Sequence, residues 1–168
     1  KELGIKTVLD IPCGDYYWMN QVDLGDIKYA GADIVKELVA KNKERYEKDN
    51  INFCQLNLIT DNLPKVDLVF CRDCLVHFSN EDIIKALKNI SRSQSTFLLT
   101  TTFTQREKNK DIETGEWRPL NLCRTPFNLP EPLKIIYEGC TEKAGDDSYS
   151  DKALGLWRIE GLIDNLAK

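Results

Sequence analysis

The sequence has almost no histidine and almost no methionine: one of each, His77 and Met19, in 168 residues. A relay or metal site built on several imidazoles is therefore excluded. No apolar run reaches the roughly eighteen residues that a membrane-spanning helix needs. The start carries no basic segment followed by an apolar one, the pattern of a secretory leader. The one methionine is internal, so a start trimmed of its initiator is expected. Positive charge is not in excess either: 23 Lys and Arg stand against 27 Asp and Glu, a net charge of −4. That argues against a basic face that neutralises a nucleic-acid backbone. A small-molecule partner fits better, with no nucleic acid and no membrane involved.

Cysteine is present but not organised for metal. Of Cys13, Cys54, Cys71, Cys74, Cys123 and Cys140, only Cys71 and Cys74 have CxxC spacing. A zinc or redox reading would want a second such pair or more histidines. Most of these cysteines sit in apolar, strand-like runs, where Cys behaves as a small hydrophobe. Free thiols, no metal and a reducing, cytoplasmic setting are the expectation. With 42% hydrophobic and 30% charged residues, the chain is ordinary for a globular protein and long enough for one domain with a real core.

Strand-like runs alternate with helical periods, which predicts a doubly wound α/β sheet. Strands are expected near 6–12, 28–33, 51–58, 66–71, 96–103, 133–137 and 153–159. A short helix is expected over 16–22. A longer one over 35–48 turns Val35, Leu38, Val39 and Tyr46 inward, with Glu37–Lys41 and Glu44–Lys48 as solvent-facing i,i+4 pairs. Between the third and fourth strands only seven to nine residues are expected, too few for a crossover helix. Ser79 and Asp82 form a variant capping box opening a helix whose stripe is Ile83, Ile84, Leu87 and Ile90. Residues 104–132 show no period, hold four prolines and carry Trp117, Arg118 and Phe127. A long segment of this kind inside a compact domain is usually functional, and a substrate-facing insertion or lid is expected.

The most informative stretch is Thr7-Val8-Leu9-Asp10-Ile11-Pro12-Cys13-Gly14-Asp15. An apolar strand ends in an aspartate, a tight turn and a second aspartate. A buried parallel strand presents its C-terminal tip to ligands in this manner. The second strand ends likewise, in Asp33-Ile34. The turn P-C-G-D-Y-Y has one glycine, whereas a pyrophosphate cradle needs Gly-x-Gly-x-x-Gly. Asp15 repels a pyrophosphate and attracts a cation. The crevice therefore favours a ligand with hydroxyls and positive charge over a nicotinamide dinucleotide.

These residues resemble the first motif of the class I S-adenosylmethionine-dependent methyltransferases, in a D-x-P-C-G-D variant, and the resemblance covers most of the chain. It implies a Rossmann-like, mostly parallel seven-stranded sheet in the order 3-2-1-4-5-7-6, with the last strand antiparallel and helices on both faces. It implies S-adenosyl-L-methionine as cofactor and methyl transfer to an acceptor by direct displacement. Asp10 and Gly14 match the motif residue by residue, with Pro12, Cys13 and Asp15 beside them. Pro12 and Tyr16 stand where the family usually has glycines. Asp33 occupies the place of the ribose-binding acid, with Ile34 next to it. It is also suited to cap the following helix. Asn57 occupies the place of the adenine-amino acceptor, with Leu58 for apolar contact. Cys71 and Arg72 open a run through Phe78 that resembles the fourth motif, where Arg72 would clamp the cofactor's carboxylate or the substrate.

Asp73 and His77 are the candidate bases, although an activated sulfonium needs positioning more than a base. Tyr16, Tyr17 and Trp18, with Trp117 and Arg118 from the insertion, are the candidate acceptor-binding residues. Two other functions compete: a nucleotide-binding module of the same fold without catalysis, and an NAD-dependent oxidoreductase, which the glycine-poor turn disfavours.

Overall fold

The computed structural model describes residues 3–145, 147–164 and 166. β1 (Thr7–Asp10) lies inside a seven-stranded sheet whose chain order runs outward from it. β2 (Lys28–Asp33) and β3 (Ile51–Gln55) lie in sequence on one side of it, and β4 (Leu68–Cys71) and β5 (Phe97–Phe103) on the other. All these neighbours pair in parallel. The chain then places β6 (Lys134–Tyr137) at the far edge and inserts β9 (Lys152–Arg158) between β5 and β6, antiparallel to both. Counted within the sheet, the order is 3-2-1-4-5-7-6 with the last strand reversed, as the resemblance implies. A two-stranded hairpin, β7 (Lys143–Ala144) with β8 (Asp147–Ser148), fills the link before β9 and is absent from the sequence reading. Strands of two residues carry too little pattern to detect.

The sheet runs outward in both directions from β1, so right-handed connections put the two helices on opposite faces. α1 (Lys36–Tyr46) follows β2, and α2 (Asn80–Arg92) follows β4. Strand alternation feeds two cores. Leu9, Ile11, Val69, Cys71 and Leu98 face α2, whose Ile83, Ala86, Leu87 and Ile90 are fully buried among them. Val8, Tyr29, Phe53 and Phe70 point the other way, toward Val39 of α1. Burying one such Leu or Ile side chain is worth about 1.5–3 kcal/mol, so the α2 stripe anchors that face. Ser79 caps α2, its side chain accepting from the Asp82 amide at 3.2 Å.

Element boundaries moved where side chains compete for the backbone. β3 stops at Gln55, not at residue 58, because Asn57 accepts the Ile59 amide at 2.8 Å and turns the chain. The link to β4, residues 56–67, is therefore longer than expected. The helix expected over 16–22 shrinks to a single 3-10 turn, Met19–Gln21. The irregular segment 104–132 is bound tightly to the core: Leu120, Leu122, Phe127 and Leu129 belong to the α2-side cluster. β9 holds it through the Trp157 indole, which donates to the Pro130 carbonyl at 2.7 Å. Gly155 leaves room for that indole, since a Cβ there would collide with it. Among the described residues, no helix is long and apolar enough to cross a membrane.

Candidate functional site

At the C-terminal tips of β1, β2 and β4 the chain forms a cavity of about 230 Å³ lined by Asp10, Pro12, Cys13, Gly14, Asp15, Trp18, Asp33 and Arg72. Its floor is a cradled turn. The Cys13 amide donates to the Ala32 carbonyl at 2.8 Å, and the Gly14 amide to Asp33 Oδ2 at 3.3 Å. Asn42 of α1 donates from Nδ2 to the Gly14 carbonyl at 2.7 Å. Gly14 has φ +57, a conformation that a side chain disfavours. Asn42 is buried and was not singled out in the sequence. Its signal was there: it lies three residues after the buried Val39, a polar side chain on the inward face of α1, whereas Val35, expected on that face, is the exposed N-cap.

Three carboxylates and one guanidinium set the electrostatics. Asp10 is 2% exposed and accepts from the Tyr29 hydroxyl. Burial raises its pKa from 3.8 to about 7, opposed by the Tyr29 bond and by Arg72, and aided by Asp33. Asp33 is 6% exposed, and Oδ1 accepts the Val35 amide at 3.0 Å. It thus braces the entry to α1 without being its N-cap, which is Val35. Burial, with Asp10 and Asp33 nearby, pushes the Cys13 thiol up to about 12, which keeps it neutral.

Arg72 forms the opposite wall. Its Nε meets Glu138 Oε1 at 2.6 Å, and Nη1 meets Asp73 Oδ2 at 3.3 Å. Its guanidinium lies 5.6 Å from the centre of the Trp18 ring. Lys152 of β9 closes the network, with Nζ at 2.8 Å from Asp73 Oδ1 and 3.6 Å from Glu138 Oε2. Glu138 and Lys152 were not anticipated: they are 66 and 80 residues from Arg72, and nothing local marks them.

Other expected site residues lie elsewhere. Tyr16 is 1% exposed and packs edge-on against Phe53 at 5.0 Å and tilted against Tyr29 at 5.1 Å. Its positive φ of +59 turns the ring into the α1-side core, away from the crevice. Tyr17 is exposed, while Trp18 lines the cavity. Leu58 and Cys71 are buried in the α2-side core, so their side chains are not on the cavity wall. Ile34 is exposed beside it, and Asn57 is engaged in its own turn. Cys71 and Cys74 are free thiols, and the Cys74 contact, then burial, pushes Cys71 well above its ordinary range.

Arg118 is 4% exposed and spends its guanidinium on the carbonyls of Lys110, Leu75, Val76 and Phe78. It is a pin for the chain before α2 and does not reach the cavity. Trp117 packs on Tyr149 at 4.9 Å and Phe103 at 6.1 Å, also away from it. His77 is exposed, with Nδ1 2.9 Å from the Glu116 carbonyl. A carbonyl only accepts, so Nδ1 carries the proton. Asp73 has φ +51 and holds the Lys152 ammonium with both oxygens.

The family model described as a methyltransferase domain matches residues 8–95, from β1 to the turn after α2. No curated protein matches the chain. Human N-acetylserotonin methyltransferase in complex with SAM is similar in structure, with a TM-score of 0.65 and 14% identity, over 92% of this chain and 47% of that one. PigF with SAH has a TM-score of 0.64 at 15% identity, over 92% and 50%. The cyclase SpnF has a TM-score of 0.53 at 19% identity, over 70% and 47%. The chain thus spans about half the length of these similar structures.

Proposed function

This chain belongs to the methyltransferase-domain family, and from that premise we propose that it moves the methyl group of S-adenosylmethionine to a small-molecule acceptor. The observation that carries this reading is the set of charges lining the cavity: Asp10, Asp15 and Asp33 around one arginine. A ligand with an ammonium, a sulfonium, ribose hydroxyls and one carboxylate matches that set, and a pyrophosphate does not. Asp33 accepts from the ribose hydroxyls with the lone pairs that Gly14 and Val35 leave open. Asp10 and Asp15 face the cationic end, and Arg72 takes the carboxylate. Gly14 lets the backbone approach, and Asn42 holds it there.

When bound, S-adenosylmethionine supplies a methyl group on a sulfonium: an acceptor lone pair bonds to that carbon as the carbon–sulfur bond breaks, leaving a thioether and releasing the acceptor's proton. The chain's contribution is placement, worth up to about 7–11 kcal/mol in well-aligned systems. Trp18 covers the site and thins the water around it. Asp73 is committed to Lys152 and Arg72, and His77 is bonded at the surface, so no base is assigned to either.

Calorimetric titration with S-adenosylmethionine, S-adenosylhomocysteine and NADH tests the reading. Micromolar binding of the adenosyl ligands, with none of NADH, is expected. Asp33→Ala should weaken that binding by about 1–3 kcal/mol, the cost of leaving ligand hydroxyls unpaired. A folded sample that binds neither adenosyl ligand overturns the reading.

A further inference from the structure

A second cavity, of about 590 Å³, adjoins the first and shares two residues with it, Trp18 and Arg72. Its other walls are Phe70, Leu99, Leu154 and Glu138. Phe70 of β4 is the register partner of Leu99 on β5, and Leu154 of β9 is paired beside Leu99 at Thr101. These side chains share the sheet face on which Val8 and Tyr29 also stand. Neither helix covers this part of it: α1 contacts β2 and β3 instead. The result is an apolar floor across three strands, closed at the crevice end by the Trp18–Arg72 stack. Its volume falls within the roughly 300–1,000 Å³ of ordinary ligand pockets.

One polar feature breaks the apolar lining. Glu138 is 86% buried at its side chain (14% exposed), and its Oε2 has no hydrogen-bond partner among the described residues. Arg72 engages the other oxygen, Oε1, while Lys152 Nζ stands 3.6 Å from Oε2 and already holds both oxygens of Asp73. A buried acceptor left open is costly, so a site of this kind favours an occupant that donates to it. The four charges around it, Arg72, Lys152, Asp73 and Glu138, balance in sign. The occupant therefore needs a donor and not a net charge.

We propose that this cavity is the acceptor site, and that the acceptor is a planar apolar molecule with an N–H or O–H that donates to Glu138 Oε2. The inference rests on the methyl-transfer reading above. The ring lies on Phe70, Leu99 and Leu154. Glu138 anchors one edge, beside the Trp18–Arg72 wall that this cavity shares with the crevice. Glu138 selects by hydrogen bonding, whereas the floor selects by shape. Sites that hydrogen-bond a substrate group discriminate strongly against analogues lacking it.

Indole and 1-methylindole are suitable probes, because they share a shape and differ in the donor. Each is titrated into the native protein without any adenosyl ligand, followed by two-dimensional NMR. Indole should bind saturably, about tenfold tighter than 1-methylindole. Intermolecular NOEs should reach Phe70, Leu99 and Leu154. In Glu138→Met the tenfold preference should vanish while the apolar contacts remain. If that variant loses its dispersed spectrum, the native NOEs and the indole pair decide the matter alone. Equal binding of the two probes, no saturable binding, NOEs to another part of the chain, or a dimer through this face that excludes indole would each overturn the proposal. A parallel titration with S-adenosylhomocysteine separates the two readings: its binding without indole binding sinks only the acceptor site, and the reverse sinks the methyl-transfer reading and with it the assignment of this cavity to an acceptor.

Discussion

Asp10 shows how a single buried carboxyl is tuned. Its pKa in the folded chain is about 7 against 3.8 ordinarily, so folding makes it hold its proton more tightly. The folded state then binds more protons than the unfolded one between those values, and stability falls as pH rises across that window. The contribution is complete below about pH 4 and is lost as pH passes about 7. Asp10→Asn should therefore gain stability relative to the native chain at pH 8 more than at pH 5. Urea denaturation at the two pH values measures this, and an equal difference at both would remove Asp10 as the cause. The same ionisation serves a cationic ligand, because the carboxylate that costs the empty fold is the form that attracts an ammonium. Asp10, Gly14 and Asp33 were legible in the sequence because they sit at strand tips beside a turn that only special residues can make. Tyr16 was misplaced for a physical reason: a residue inside the loop after β1 can point to either side, and its left-handed backbone conformation decided for the core.

At the scale of elements, the seven sheet strands and the two longer helices were read from periodicity and lie within a few residues of where the sequence placed them, whereas the expected helix over 16–22 is a 3-10 turn and the β7–β8 hairpin was not expected. The irregular segment 104–132 was legible only as irregular. Its long-range bonds depend on which strands lie beneath it, which no local pattern encodes. Arg118 is the clearest example. An arginine in a loop suggests an exposed, ligand-binding group, yet here it satisfies carbonyls of the 3-10 turn Leu75–His77 and its flanks. Replacing it with methionine keeps the bulk but strands those acceptors. Arg118→Met should cost about 2–4 kcal/mol in chemical denaturation, since each buried unsatisfied group costs about 1–3 kcal/mol. A loss under about 0.5 kcal/mol, the usual size of a surface change, would show that water replaces the guanidinium.

The whole molecule depends on its last strand. β9 pairs along seven residues with β5 and along four with β6, and β9 is the one strand beside β6 among the described residues. Trp157 is 1% exposed within the α2-side core. A chain that stops at residue 151 should lose β6 and open that core, so that its thermal melt shows no cooperative transition by circular dichroism. A sharp transition would mean that the first five strands suffice. The order of the sheet was legible from the family resemblance, whereas the ion-pair network joining Arg72 to Glu138 and Lys152 was not. That network brings together the residues that follow β4 and β6 with the first residue of β9, and only the assembled sheet makes them neighbours.

Trp18 and Arg72 belong to both cavities. Two ligands that share a wall are not thermodynamically independent. Whatever factor one occupant applies to the affinity of the other, it receives in return, because the cycle of two bindings must close. An acceptor that draws Arg72 toward Glu138 loosens the grip on a carboxylate in the crevice, and a ligand that draws Arg72 the other way loosens the acceptor by the same ratio. On the proposed reading, Arg72 couples the affinities of the two occupants, and the affinity of each, measured with and without the other, should change by one common factor.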